Sequence, residues 1–342
     1  MEDLIEVRNL TKEFPVQKSV VDLMFSGFKP DLVHAVDDIS FTIKKGQVLG
    51  LAGESGSGKS TVGRLILRLL EATKGEVKYR NRNVLSYSKQ EMRHLREKIQ
   101  IVFQDPNSSL NPRMTVGEGI GDPLRVHGMS DPAERKKHVI DIMEKVGLQP
   151  AEFLYQKYPH QVSGGQAQRV VLARALVTNP DFIVADEPIA MADVSVRALI
   201  LELMKRLKAE FDLTYLFITH DLATAKYLCD HVAIMYLGRI VEIGSRDDIF
   251  TRPHHPYTKA LLEAVPVPDP RLKRTEAVVR GEIPSAINPP AGCHFHPRCP
   301  FAMEICKEGR PPLKEVEPGH FSACVLPADT LGRDQQAAYT LD

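Results

Sequence analysis

Gly53-Glu54-Ser55-Gly56-Ser57-Gly58-Lys59-Ser60-Thr61 is the stretch that decides how this chain folds. Its first eight residues fit the pattern G-x-x-x-x-G-K-[ST], a loop between a strand and a helix. The context agrees. Gln47–Leu51 reads as a strand, and beyond Ser60 the residues Val62, Leu65, Ile66, Leu69 and Leu70 recur at helical spacing. In such a loop, glycines let backbone N–H groups converge on phosphate oxygens, aided by the positive end of the helix dipole. Lys59 is the candidate to bridge the β- and γ-phosphates, and the Ser60 hydroxyl the candidate ligand for Mg²⁺. Gly53, Glu54, Ser55, Gly56, Ser57, Gly58 and Thr61 are the remaining candidate contacts. The bland alternative is a glycine-rich turn with no ligand.

A phosphate loop of this kind needs an acid at the end of a buried strand. Phe182-Ile-Val-Ala-Asp186-Glu187 supplies one: four apolar residues make the strand, Asp186 can hold Mg²⁺ through water, and Glu187 can orient or deprotonate the attacking water. Val162-Ser163-Gly164-Gly165-Gln166 directly precedes another helical pattern (Val170, Val171, Ala173, Leu176, Val177). That makes a second helix start with exposed amides, over 100 residues from the first.

Around these motifs, Leu4–Val7, Ile39–Ile43, Val48–Leu51, Phe182–Ala185 and Tyr215–Ile218 read as strands. They alternate with helical patterns such as Val196–Phe211, which implies an α/β core with a parallel sheet. A long helical stretch between about 105 and 175 reads as a subdomain inserted into that core. The segment 15–34 mixes apolar residues with Gly27 and Pro30 and reads as a surface insertion or a short amphipathic helix and loop. Prolines crowd in beyond residue 252, which places a boundary near 265. The expected domains are thus 1–265 and a small, loop-rich 266–342.

The 342 residues carry 44 basic and 44 acidic side chains, which argues against a duplex nucleic acid as partner. The 43% apolar and 26% charged fractions exclude wholesale disorder. No run approaches the roughly 18 apolar residues of a membrane span, and Met1-Glu2-Asp3 lacks the layout of a signal peptide, so a cytosolic chain is expected. Four of five cysteines (Cys293, Cys299, Cys306, Cys324) lie near the end, separated by 5, 6 and 17 residues. In a reducing compartment such a group suggests metal before crosslinks. Irregular spacing with prolines beside two cysteines suits a cluster held by loops, whereas compact zinc ribbons favour paired C-x2-C. Zinc and unliganded thiols are the alternatives. Cys229 reads as a core residue.

With its motifs in this order, the chain resembles the ATP-binding subunits of ABC transporters over residues 1 to about 265. Gly53–Ser60 and Phe182–Glu187 look like their Walker A and B motifs, and Ser163–Gln166 like their signature. The resemblance implies that Gln104, in Ile101-Val-Phe-Gln104, is the Q-loop glutamine that senses Mg²⁺ and the attacking water, and that His220 is the switch histidine at the γ-phosphate. It also implies that Phe14 stacks on adenine. A head-to-tail dimer is implied, each ATP lying between one chain's P-loop and the other's signature. The partners implied are a second ATPase subunit, identical or different, two transmembrane permease subunits and, indirectly, an extracellular solute-binding protein. The place implied is the cytoplasmic face of the membrane. Two departures stand out: Ala190 and Ala192 occupy positions where the family's D-loop usually has serine and leucine, and Ala167 follows the signature in place of a common arginine.

The tail, from Gly281-Glu-Ile-Pro-Ser285 through the cysteines to Glu317-Pro-Gly-His320, looks like the C-terminal extension of oligopeptide and dipeptide importer ATPases. Some of these bind a [4Fe–4S] cluster with such cysteines. Asp193-Val-Ser195-Val-Arg197 leans toward the F-type subunit of such systems. An oligosaccharide importer and an ATP-binding redox regulator are the competing functions.

Overall fold

The computed structural model describes residues 2–16, 31–190, 193–265 and 281–327. The stretch 17–30, most of the expected insertion, lies outside the described residues, as does Ala192. The strands are β1 (Asp3–Pro15), β2 (Leu32–Lys44), β3 (Val48–Ala52), β4 (Lys74–Tyr79), β5 (Arg82–Asn83), β6 (Ile99–Val102), β7 (Phe182–Asp186), β8 (Thr214–Thr219), β9 (His231–Tyr236), β10 (Arg239–Ser245), β11 (Lys314–Glu317) and β12 (His320–Ser322). They fall in two compact units.

One unit comprises the described residues of Met1–Leu4, Ile43–Val48 and Asn83–Ile218. Its strands β6, β7 and β8 run parallel, with Ile101 opposite Val184 and Val184 opposite Leu216. Every residue of β7 and β8 is buried. This is why both read as unbroken apolar runs rather than alternating ones: a parallel strand is covered on both faces. Between β6 and β7 the chain is helical, with helices at Pro106–Ser109, Val116–Val126, Pro132–Lys145, Ala151–Tyr155 and Gly164–Leu176. Local chemistry starts them. The Thr115 hydroxyl accepts from the Glu118 amide at 3.2 Å while the Glu118 carboxylate accepts from the Thr115 amide at 2.8 Å, a reciprocal cap. Asp131 caps the Ala133 amide and Pro132 takes the first helical position, where its missing N–H costs nothing. Val139, Ile142 and Met143 form the buried stripe of that helix.

The other unit comprises the described residues of Ile5–Thr42, Leu49–Arg82 and Thr219–Asp342. It carries an antiparallel sheet in the order β2-β1-β4-β5, with Ile5 opposite Tyr79 and Val7 opposite Val77. It also carries β11-β12-β10-β9-β3. There β3 and β9 are parallel, Leu51 facing Ala233, whereas β9–β10 and β10–β12 are antiparallel. The parallel pairing expected of the core is present at β3–β9, and β10 and β12 extend it antiparallel. Tyr236-Leu237-Gly238-Arg239 makes a tight turn, with Gly238 at φ +79°, so β10 can only return antiparallel to β9. The cysteine-bearing segment joins this same unit, because β12 pairs with β10, Ile243 facing Phe321.

Candidate functional site: a phosphate loop, an acid pair and a thiol cavity

The loop after β3 turns into the helix Lys59–Ile66 through Gly58, which is left-handed at φ +102°. Lys59 is buried, and its ammonium donates to the Gly53 and Glu54 carbonyls at 2.8 Å each, with Ser57 Oγ at 3.4 Å. These bonds fold the loop around the lysine. A Cβ on Gly53 would lie 2.1 Å from the Met235 carbonyl oxygen, so only glycine lets the loop leave β3 beside β9. Ser57 closes the loop, accepting from the Gly238 amide at 3.0 Å. Ser55 and Gly56 are exposed, and Ser60 and Thr61 are half-buried at the helix start.

Glu54 is held differently from its neighbours. Its amide donates to the Tyr257 hydroxyl at 3.0 Å, and its carboxylate accepts two bonds from Arg298. Its N–H therefore anchors the loop from behind. Phe14, near the end of β1, is half-buried with the Lys12 ammonium 4.9 Å from its ring centre. His220 is exposed immediately after β8, and the next residue, Asp221, caps the helix Leu222–Leu228 through the Ala223 amide.

In the other unit, Asp186 ends β7 and is buried. Glu187 adopts φ +49°, a left-handed conformation that is costly for a side chain with a Cβ. Its amide donates to the Ile218 carbonyl and its carbonyl accepts from the Ala190 amide, which together hold that conformation. Gln104, two residues beyond β6, donates from Nε2 to Glu187 Oε2 at 3.0 Å. The glutamine and the acid are thus brought together although 83 residues separate them. Ser163 caps the helix Gly164–Leu176: its hydroxyl accepts from the Gln166 amide at 3.3 Å, and Gln166 Oε1 accepts from the Ser163 amide at 2.9 Å. Reciprocal capping occupies those two amides and leaves those of Gly164 and Gly165 without an intrahelical partner.

Cys293, Cys299, Cys306 and Cys324 line one cavity, whose other walls include Phe295, Phe301, Pro311 and Leu326. Burial among these apolar groups pushes the thiols of Cys293, Cys299 and Cys324 up, the last to about 11, with the neighbouring thiols adding to the rise. Cys229 is buried at 1% exposure, its Sγ 2.8 Å from where a Cβ on Gly50 would stand, which makes it a core residue. Elsewhere in this unit, Asp248, Glu317 and His320 converge, but Arg252 already pairs with both carboxylates, and His320 Nε2 donates to the buried Glu242 at 2.8 Å.

The sequence profile of the ABC transporter family matches residues 36–190, and that of the oligopeptide/dipeptide transporter C-terminal region matches 241–306. The oligopeptide transport ATP-binding protein AppF of Bacillus subtilis is 45% identical over 328 residues, covering 95% of this chain and 98% of that protein. The dipeptide transport ATP-binding protein DppF of Haemophilus influenzae is 47% identical over 321 residues, covering 94% and 96%. An ATP-binding cassette solved as a post-hydrolysis dimer with ADP and Pi superposes with a TM-score of 0.61 at 30% identity, covering 71% of this chain and 99% of that one. This chain belongs to the ABC transporter ATP-binding proteins.

In this ABC ATPase the family match spans Gly53–Ser60, Ser163–Gln166 and the Asp186–Glu187 pair. Of the stretch likened to the D-loop, Ala190 and Asp193 are described and Ala192 is not. Among the described residues no helix of this ABC protein is long and apolar enough to cross a membrane. The contacts of Arg298 and Tyr257 with Glu54 are not readable from the sequence. Arg298 lies within the tail quoted for the family likeness, yet no spacing links it or Tyr257 to Glu54, 244 and 203 residues away.

Proposed function

We propose that this chain is the ATP-hydrolysing, energy-coupling subunit of an ABC importer for di- or oligopeptides, acting at the cytoplasmic face of the membrane. It closes with a second ATPase subunit around two ATP molecules and drives two transmembrane permease subunits, to which an extracellular binding protein delivers the peptide. The names of its relatives and the match of its C-terminal region support the peptide class. The Asp193–Arg197 stretch, and the likeness to AppF and DppF, support the F-type position beside a different partner ATPase.

One observation carries the hydrolytic role: Gln104 hydrogen-bonds Glu187 at 3.0 Å. A carboxylate fixed in this way is aimed as well as present, which is what a base or water-orienting group requires. Lys59 would exchange its bonds to the Gly53 and Glu54 carbonyls for phosphate oxygens. The oxygen donors of Ser60, Asp186 and Gln104 suit Mg²⁺, which neutralises charge on the β- and γ-phosphates. His220 is assigned to the γ-phosphate, Phe14 to adenine, and Ser163, Gly164, Gly165 and Gln166 to the nucleotide held by the partner. Glu187→Gln keeps the hydrogen-bonding shape and removes the charge. It is expected to lower ATP turnover by about 10²–10⁴-fold with MgATP binding retained; unchanged turnover would sink the role given to Glu187.

We assign the thiol cavity to a multi-iron cluster before a single zinc ion, on the likeness of the tail and on the spacing of its sulfurs. Tetrahedral zinc–thiolate bonds of about 2.3 Å bring sulfurs to roughly 3.8 Å from one another. Among the described residues, no three of these sulfurs lie within 4.8 Å of one another. Cys293, Cys299, Cys306 and Cys324 would hold a [4Fe–4S] group, whose positive irons favour the thiolate form that burial alone opposes.

A further inference from the structure

The Glu54 carboxylate receives both terminal nitrogens of Arg298, Nη1 on Oε2 at 2.9 Å and Nη2 on Oε1 at 3.2 Å. A two-pronged arginine–carboxylate pair fixes orientation as well as distance. The guanidinium is nearly enclosed, its side chain 10% exposed, with the rings of Tyr236 and Phe295 at 5.8 and 6.0 Å. Tyr236 and Phe295 in turn meet edge to face, and Tyr257 packs against both. The backbone of Glu54 is pinned as well, its amide by Tyr257 and its carbonyl by Lys59. Three tethers therefore converge on the second residue of the P-loop, and one of them is the phosphate-binding lysine.

The other end of this arrangement is the thiol cavity. Arg298 sits in a tight turn in which its own amide donates to the Phe295 carbonyl at 2.9 Å and the Cys299 amide to the His296 carbonyl at 3.3 Å. The turn puts Phe295, His296 and Cys299 on the cavity wall while Arg298 reaches Glu54. Adjacent residues in so short a turn do not move independently.

We propose that Arg298 is a positioning residue for the P-loop, and that through it the packing of the thiol cavity sets the chain's affinity for nucleoside triphosphate. The inference rests on the reading of Gly53–Ser60 as a nucleotide loop. A cavity that holds the 295–299 turn in place holds Glu54, and with it the carbonyl that the Lys59 ammonium must leave when phosphate arrives. A cavity that loosens frees the turn, and the loop loses its outer tether.

The test is calorimetric titration of the purified full-length chain with MgATP, in the wild type, Arg298→Met, Arg298→Lys, Glu54→Gln, Cys299→Ser and the doubles Arg298→Met/Glu54→Gln and Arg298→Met/Cys299→Ser. Arg298→Met and Glu54→Gln are each expected to weaken binding about tenfold, with the double no weaker than either single. Arg298→Lys, which keeps the charge, restores part of the affinity. Cys299→Ser weakens binding in the wild-type background and has little further effect beside Arg298→Met. Thermal melting identifies any variant that has not folded; if Arg298→Met is one, Arg298→Lys and Glu54→Gln carry the comparison. Wild-type affinity in Arg298→Met and Glu54→Gln, or losses that add, overturns the positioning role. An unchanged Cys299→Ser, or a Cys299→Ser loss that adds to that of Arg298→Met, overturns the link to the cavity. Failure of the wild type itself to bind MgATP refutes the nucleotide reading instead.

Discussion

Gly58 stands at φ +102°, and a Cβ there would lie 2.1 Å from the carbonyl oxygen of Ala35. Both the backbone conformation and the space forbid a side chain, so the helix behind the P-loop can start only from glycine. Gly58→Ala is expected to lose about 1–3 kcal/mol of stability and most of its MgATP affinity, read by thermal melting and titration. Glu187 makes the opposite choice, keeping a side chain in left-handed backbone, as the catalytic role proposed for its carboxylate would require. Much at this scale was legible in the sequence, since Lys59, Asp186 and Glu187 sit in short patterns whose chemistry depends on neighbours in the chain, whereas Gln104 was pointed to only by the family resemblance. The grip of Arg298 on Glu54 was not, because it depends on how distant segments pack and leaves no periodic trace.

Among the elements, the helices announce themselves through their caps. Thr115 and Ser163 each make the same reciprocal arrangement, with Glu118 and Gln166 respectively. Replacing either by alanine removes an acceptor for an otherwise unpaired amide and should cost about 1 kcal/mol in urea unfolding. The two variants separate in activity: Thr115→Ala should hydrolyse ATP normally, whereas Ser163→Ala should be slowed, if the signature helix meets nucleotide as proposed. The strands were legible from their apolar runs, and β7 and β8 lie where those runs are. Direction was not. An apolar run says that a strand is buried on both faces but not which way its neighbour runs, and the antiparallel return at Gly238 that adds β10 beside β9 leaves no mark in that pattern. The three-residue β12 was also hidden, since a strand so short has no measurable alternation.

For the molecule as a whole, acid is expected to act first on the unit that holds the P-loop and the thiol cavity. Burial depresses His255 to about 4, and its Nδ1 accepts from the Tyr257 amide, a bond available only to the neutral ring. Burial lowers His254 and His294 in the same direction. A histidine that binds its proton less tightly when folded contributes fully above the unfolded value near 6.5 and loses that contribution as pH falls toward the folded value. His255 alone can then remove about 2 kcal/mol between pH 7 and pH 5. The thermal midpoint should drop across that window, and His255→Asn, which can still cap the Tyr257 amide, should flatten the slope.

Time enters through the distance along the chain between Glu54 and its arginine. The two are 244 residues apart, and a ribosome adding about 5–20 residues per second takes roughly 10–50 s to travel from one to the other. During that interval the nascent P-loop exists without the guanidinium that pairs with Glu54. On the proposal above, the loop gains its outer tether only once residue 298 has been made, long after the loop itself.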